Sequence, residues 1–264
     1  MDLELNGRLA LVTGSTAGIG FAIARELARE GARVIVNGRT GARVQSAADA
    51  IRRDLPGAQL ELFTGDLSTS EAASAITARY PDVEILVNNL GIYAVRPFED
   101  ITDAEWISII ETNFMSGVRL SRFYLPRMKA AGWGRILFIS SESAVNIPTE
   151  MIHYGVTKTM QVALARGLAE TTAGTGVTVN SVLVGPTRSE GVEEFVAQMA
   201  ASRGVDVSEV EKDFFRTARP TSILQRFESP DEIAHMTTYL ASPLASGTNG
   251  AAVRVEGGLL RSIL

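Results

Sequence analysis

The sequence contains no cysteine and only two histidines, His153 and His235. Disulfide scaffolds, thiolate metal sites and cysteine nucleophiles are therefore excluded. A multi-histidine metal site is excluded as well, so no metal is expected. Lysine is nearly as scarce, with three (Lys129, Lys158 and Lys212) among 25 basic residues. With a net charge of −5, the chain argues against nucleic acid as its main partner. No run approaches about 18 consecutive apolar residues, the length that spans a bilayer. The opening Met1-Asp2-Leu3-Glu4-Leu5 is acidic, where a secretory signal needs a basic start. No membrane partner is expected, and the expected location is the cytoplasm.

What is present is a rhythm. Short β-branched apolar runs (Leu9–Val12, Val34–Val36, Leu60–Phe63, Ile85–Val87, Ile136–Ile139, Val177–Leu183 and Ala251–Val255) alternate with longer amphipathic stretches. Near-continuous apolar strands are what a sheet covered on both faces requires. The stretches Ile19–Glu30, Ala42–Arg53, Thr69–Arg79, Asp103–Met128, Met151–Thr172 and Asp231–Leu240 read as helices. In the first, Ile19, Ala22, Ile23 and Leu27 form one stripe. The alternation predicts an α/β fold, a doubly wound parallel sheet with right-handed crossovers. With 264 residues and no linker or low-complexity tract, residues 1–264 are expected to form one domain.

The segment from Gly185 to Pro230 breaks the rhythm. Val192, Phe195, Val196 and Met199 fall at helical spacing, as do Val207, Val210 and Phe214. An insertion after a strand's carboxyl end lies where open α/β folds bind ligands, so 190–219 is expected to be a helical lid. The plainer alternative is a helical hairpin that only pads the fold.

After the first strand comes Thr13-Gly14-Ser15-Thr16-Ala17-Gly18-Ile19-Gly20. Glycines allow a tight turn and close approach of backbone to a pyrophosphate. The following helix offers free N–H groups and a partial positive charge. Ser15 and Thr16 are candidate hydroxyl donors. The second strand ends Val36-Asn37-Gly38-Arg39, with no acid to accept from a ribose 2′-hydroxyl. Gly38 is expected to leave space and Arg39 to pair a 2′-phosphate, which favours NADP over NAD. A surface arginine in a turn is the plain alternative. Further on, Tyr154 and Lys158 stand four residues apart, on one face of a helix. The lysine cation is expected to lower the tyrosine pKa and fit the phenol for proton transfer. Ser140-Ser141 ends the fifth strand, thirteen residues before Tyr154.

With these motifs the chain resembles the short-chain dehydrogenase/reductase family, in the group with Thr-Gly-x3-Gly-x-Gly, over nearly its whole length. Within it, the run Gly185-Pro186-Thr187-Arg188-Ser189-Glu190-Gly191 most resembles 3-oxoacyl-(acyl carrier protein) reductase-like members. The resemblance implies a single Rossmann-like domain with a seven-stranded parallel sheet. It also implies a catalytic tetrad of Asn113, Ser141, Tyr154 and Lys158. Ser141 would donate to the reacting carbonyl, Tyr154 would move the proton and Lys158 would hold the nicotinamide ribose. Asn113 would steady a water linking Lys158 to solvent. Cofactor contacts are implied at Gly14, Ser15, Thr16, Gly18, Ile19, Gly20 and Arg39. Others are implied at Asp66 and Leu67 after the third strand, at Asn89, Leu90 and Gly91 after the fourth, and at Gly185, Thr187 and Ser189. Leu90 replaces the family's usual alanine, and Val184 the usual proline. Ser189 has the alternative role of a helix cap.

The expected function is NADP-dependent interconversion of a ketone and a secondary alcohol, with 3-oxoacyl-thioester reduction as one form. A catalytically silent nucleotide-binding sensor or scaffold is the alternative, and the intact tetrad argues against it. Arg188 is a candidate contact for an anionic substrate. The resemblance and the apolar C-terminus, Leu259-Leu260 and Ile263-Leu264, suggest a homotetramer, with the helices Asp103–Met128 and Met151–Thr172 in one interface.

Overall fold

All seven apolar runs pair as parallel strands: β1 (Leu9–Val12), β2 (Arg33–Gly38), β3 (Leu60–Thr64), β4 (Ile85–Asn88), β5 (Gly134–Ile139), β6 (Val177–Val184) and β7 (Ala252–Val255). The structure, a computed structural model, describes residues 2–263, and the side chains of Glu190 and Phe195 lie outside the described residues. The strand order is β3-β2-β1-β4-β5-β6-β7. The chain thus crosses from one side of β1 to the other between β3 and β4, and the crevice above that reversal is where such sheets bind ligands. Every residue of β5 and of β6 is buried, as expected for strands covered on both faces.

One face of the sheet packs against α1 (Gly18–Arg29), α2 (Gly41–Asp54) and α9 (Pro230–Ala241), through Ile23, Leu27, Val44, Ile51, Ile233 and Leu240. The other packs against α3 (Ser70–Arg79), α5 (Ser116–Ala131) and α6 (Ile152–Glu170), through Ile76, Leu120, Tyr124 and Ala165. No helix among the described residues is long and apolar enough to cross a membrane. At the amino end of β5, Arg135 is 1% exposed. Its guanidinium donates to the carbonyls of Ser242 (3.1 Å), Gly134 (2.9 Å) and Gly176 (3.0 Å).

Two expectations need correction. The stretch Asp103–Met128 is not one α-helix. It runs as α4 (Asp103–Ile110), a π-helical turn (Glu111–Met115) and then α5. Thr102 and Glu105 form a reciprocal capping box at its start. Amphipathic spacing does not report an inserted π-turn, because the helix continues on both sides of it. The C-terminal leucines are also not left bare by a monomer. Leu259 and Leu260 are buried against Leu183 of the same chain. The Glu256 carboxylate accepts their backbone N–H groups, that of Leu260 at 3.1 Å. Only Ile263, 98% exposed, keeps the expected character, and Leu264 lies outside the described residues.

The insertion forms α7 (Glu190–Arg203) and α8 (Val207–Thr217). Val196, Ala200, Val210, Phe215 and Phe227 make a small core separate from those of the sheet faces. Phe214 stacks on Phe227 at 5.1 Å between ring centroids. A unit with its own small core opens more cheaply than the sheet does. Amide exchange in 192–217 is therefore expected to be much faster than in β5 and β6, and to slow when cofactor and substrate are both bound. Protection as strong as that of the sheet in the free protein would make the segment padding.

Candidate active site

The glycine turn after β1 is held by polar side chains. The buried Thr13 hydroxyl accepts the N–H groups of Asn89 and Leu90, both at 2.9 Å. Asn37 accepts the Gly14 N–H at 3.1 Å and donates to the carbonyls of Phe63 (3.2 Å) and Gly65 (3.1 Å). Asn89 donates to the carbonyls of Thr13 (2.9 Å) and Gly14 (3.2 Å). Gly14 and Gly18 have φ of 63° and 55°, and a side chain at Gly20 would start 2.4 Å from the Gly14 carbonyl oxygen. The N-cap of α1 is Ala17, whose side chain caps nothing. The first amides of the helix therefore face the cavity without a side-chain acceptor, which suits an anion.

That cavity, of about 400 Å³, is lined by Gly14, Gly18, Ile19, Gly20, Asn89, Leu90 and Gly91 at one end. Ser140, Ser141, Tyr154, Lys158, Gly185, Thr187 and Ser189 line the other. Its glycine floor and uncapped helix end fit a dinucleotide. The implied contacts at Ser15 and Thr16 are placed differently. Ser15 is fully buried, and its oxygen accepts the Asn37 N–H at 2.9 Å. It fastens the turn to β2 and does not face the cavity. The space expected at Gly38 is already used, since a side chain there would start 2.4 Å from the Thr16 methyl. Thr16 packs over β2 in this way. Arg39 is exposed just past β2. Asp66 accepts from the N–H (3.0 Å) and hydroxyl (2.7 Å) of Ser68, and the Leu67 side chain belongs to the core. Ser189 lines the cavity and also caps α7 by accepting the Val192 N–H at 3.4 Å.

The tetrad residues converge. Ser141 closes β5, and its oxygen accepts the Ser143 N–H at 3.1 Å. Lys158 donates to the Ile139 carbonyl at 2.9 Å, and its Nζ lies 5.5 Å from the Tyr154 ring centroid. Tyr93 meets the Tyr154 ring edge-on at 6.1 Å. Asn113 sits on the π-turn. Its Oδ1 accepts the Ile92 N–H at 2.7 Å, and its Nδ2 donates to the Ile92 carbonyl (2.9 Å) and the Thr157 hydroxyl (3.0 Å). Its own carbonyl accepts from Gln161 at 2.5 Å. Asn113 therefore braces the loop after β4 against α6.

The electrostatics overturn one expectation. Burial pushes the Tyr154 phenol up to about 12, against the pull of the Ser141 hydroxyl. The lysine does not bring it toward neutrality in the free protein. Burial likewise pushes Lys158 down to about 8. His153, next to Tyr154, is buried against Trp106 at 5.9 Å and does not enter the site, and His235 is exposed on α9. Arg188 is engaged by Glu211 at 2.7 Å.

A second cavity, of about 630 Å³, opens between the sheet and the insertion, with Val192, Val196, Met199, Val210, Phe214 and Phe227 in its wall. Ser141, Tyr154, Tyr93 and Gly185 line both cavities. Sequence reasoning missed Asn37, Gln161 and Tyr93, which carry no motif. It also missed Glu228, whose carboxylate accepts the Gly185 N–H at 3.2 Å and whose backbone bridges to Thr187. Burial pushes that acid up to about 7.

Lys158 supplies a test through stability. Its folded pKa of about 8 lies below the ordinary 10.5, so keeping it charged in the fold costs about 3 kcal/mol at neutral pH. Between these values the unfolded chain binds a proton that the folded one does not, so stability rises with pH across that window. Lys158→Met is expected to be more stable than the parent at pH 7, with the gap closing between pH 8 and 10.5. Urea unfolding of both proteins across that range checks it, and a variant less stable at pH 7 would contradict it.

Comparison with known proteins agrees with this geometry. Residues 8–200 match the family model for short chain dehydrogenase. The chain is 49% identical over 263 residues to the uncharacterized oxidoreductase YvaG of Bacillus subtilis, covering 100% of both chains. It is 31% identical to the 3-oxoacyl-[acyl-carrier-protein] reductase FabG of Aquifex aeolicus, over 98% of this chain and 100% of the relative. The structure superposes on L-sorbose reductase from Gluconobacter frateurii, complexed with NADPH and L-sorbose, with a TM-score of 0.92, 28% identity and 100% of both chains covered. A seven-stranded parallel sheet, a glycine-floored crevice at its reversal and full-length likeness to such oxidoreductases make this chain a member of the short-chain dehydrogenase family.

Proposed function

We propose that this chain is an NADP(H)-dependent oxidoreductase that interconverts an uncharged ketone and its secondary alcohol at Ser141, Tyr154, Lys158 and Asn113. The observation that carries this is the position of Ser141 and Tyr154 in the wall shared by both cavities. One cavity suits a dinucleotide and the other suits an apolar substrate, so a reacting carbon between them meets both hydroxyls. Bound nicotinamide supplies or accepts the hydride there.

The residues divide the remaining work. The Ser141 oxygen is occupied as an acceptor by the Ser143 N–H, which leaves its proton to donate to the carbonyl oxygen as negative charge develops. Tyr154, held protonated by burial, gives that oxygen its proton in reduction and takes it back in oxidation. The Lys158 ammonium stabilises the phenolate left behind and would hold the nicotinamide ribose. Asn113 keeps α6 and the loop after β4 in register. The apolar wall of α7 and α8 excludes water once the insertion closes. A 3-oxoacyl thioester fits the apolar wall and is one candidate among uncharged ketones.

Arg39, past β2, is assigned to the adenosine 2′-phosphate, with no acid at the end of β2 to repel it. The exposed Ile107, Val145 and Ile147 lie on or near α4 and α6, which supports pairing of these helices in a homotetramer. A monomer by light scattering at micromolar concentration would exclude that assembly.

A carbonyl panel followed by NADPH oxidation tests the reading. NADPH is expected to bind at least about tenfold tighter than NADH, which one charge-assisted contact of about 1.5–3 kcal/mol supplies. Arg39→Asp should invert that order. Tyr154→Phe should lower turnover by roughly 10² or more with cofactor still bound. Equal dissociation constants for the two cofactors would remove the role of Arg39, and retained turnover in Tyr154→Phe would remove the proposed acid.

A further inference from the structure

One face of α6 carries a polar stripe. Tyr154, Thr157, Lys158 and Gln161 stand at i, i+3, i+4 and i+7, the spacing of a single helix face. Thr157, Lys158 and Gln161 are all buried. Tyr154 and Lys158 line the smaller cavity. The other two turn to Asn113. Thr157 accepts from its Nδ2 at 3.0 Å, and Gln161 Nε2 donates to its backbone carbonyl at 2.5 Å.

That carbonyl lies on the π-turn, where the regular ladder is disturbed. The Ser116 N–H reaches back five residues to the Glu111 carbonyl rather than four. The Thr112 carbonyl, which the α-helical ladder would pair with that N–H, accepts the Ser116 hydroxyl at 2.6 Å. The Asn113 carbonyl, next along, takes its side-chain donor from α6. A buried carbonyl left without a donor costs as much as a lost hydrogen bond. An apolar residue could fill the Gln161 site, but it would supply no N–H. Gln161 keeps its amide there although its Oε1 is buried and has no hydrogen-bond partner among the described residues.

The π-turn aims the Asn113 side chain at Ile92, whose N–H and carbonyl it meets at 2.7 and 2.9 Å. A side chain at Gly91 would start 3.5 Å from Lys158 Nζ and 3.6 Å from Asn113 Oδ1. The Tyr93 ring meets that of Tyr154 edge-on. Asn89 and Leu90, earlier in the loop, are fastened separately by the Thr13 hydroxyl. Gln161 therefore bears on residues 91–93, the part of the loop beside the phenol and the ammonium.

We propose that Gln161 is a positioning residue for the proton transfer: its amide holds the π-turn by donating to the Asn113 carbonyl, and through Asn113 it keeps residues 91–93 seated against Tyr154 and Lys158. The inference rests on the ketone–alcohol reading above. It adds a residue that touches neither substrate nor cofactor and leaves the proton itself with Tyr154.

Gln161→Leu keeps much of the volume and removes the donor. With the ketone that the parent reduces fastest, kcat is expected to fall about tenfold or more, as small misplacements at a reacting centre do. The Kd for NADPH should stay within about twofold, because Thr13 still holds Asn89 and Leu90. Gln161→Glu can donate to the carbonyl only while protonated. Its kcat relative to the parent should therefore rise as pH falls from about 8 to about 5.5, while that of Gln161→Leu stays flat. A Gln161→Leu kcat within about twofold of the parent, or parallel pH profiles for the two variants, would overturn the proposal. Equal losses of turnover and NADPH affinity would overturn it too, because they would make Gln161 a packing residue only.

Amide exchange reads the placement without any turnover. In Gln161→Leu the Ile92 amide is expected to exchange about tenfold faster or more, with β5 and β6 unchanged. That result supports the tie to the loop even if no ketone is reduced, in which case it is the ketone–alcohol reading that fails. Unchanged exchange at Ile92, or a uniform rise across the sheet, overturns the tie. Should Gln161→Leu not fold, Gln161→Glu compared at the two ends of the pH range makes the same measurement within one protein.

Discussion

The site depends on how the backbone is satisfied where β1 parts from its neighbours. At the carboxyl ends of β1, β2 and β4 the ladder stops while the strands are still buried. Backbone groups there are met by the side chains of Thr13, Asn37, Asn89 and Ser15. A buried amide or carbonyl without a partner costs as much as a lost hydrogen bond or more. These four side chains therefore set where the glycine turn can lie, and the turn sets the start of α1. The crevice at the sheet's reversal is a consequence of that local accounting.

The same accounting is repeated on the far side of the crevice. Asn113 brackets Ile92 from both directions, and Glu228 holds the Gly185 turn from beneath. The Ser140 hydroxyl ties the end of β5 to α6 through the Lys158 carbonyl at 2.9 Å. The loops and strand ends that line the cavity are thus each fastened by a neighbouring side chain. Such preorganisation is what lets a hydroxyl act on developing charge without first being oriented.

Much of this architecture was legible in the sequence. The strands were readable because both sheet faces are covered, so each is an unbroken apolar run, and β1 falls on Leu9–Val12 as read. The glycine turn and the Tyr154–Lys158 pair were readable because their spacing follows from turn and helix geometry. What escaped were contacts between residues distant in sequence. Ser15 reads as a phosphate donor, but it is fully buried against β2 and does not line the cavity, and Gly38 reads as empty space that the Thr16 methyl fills. The fall of Lys158 and rise of Tyr154 come from burial, which no local pattern reports. Glu142 carries no motif, and its partner Arg219 lies 77 positions away.

Arg135 has a consequence for the acid–base character of the molecule as a whole. It is sealed at the amino end of β5 among three carbonyls, and burial lowers its pKa only to about 10. It therefore carries the same charge at every pH a cell reaches. At the opposite end of the sheet burial moves Lys158 to about 8 and Glu228 to about 7, within reach of ordinary changes in pH. The strands thus join a base whose charge is constant to a rim whose charge can vary. A shift in proton activity is felt at the edge that lines the cavities while the floor on which that edge is built stays as it was.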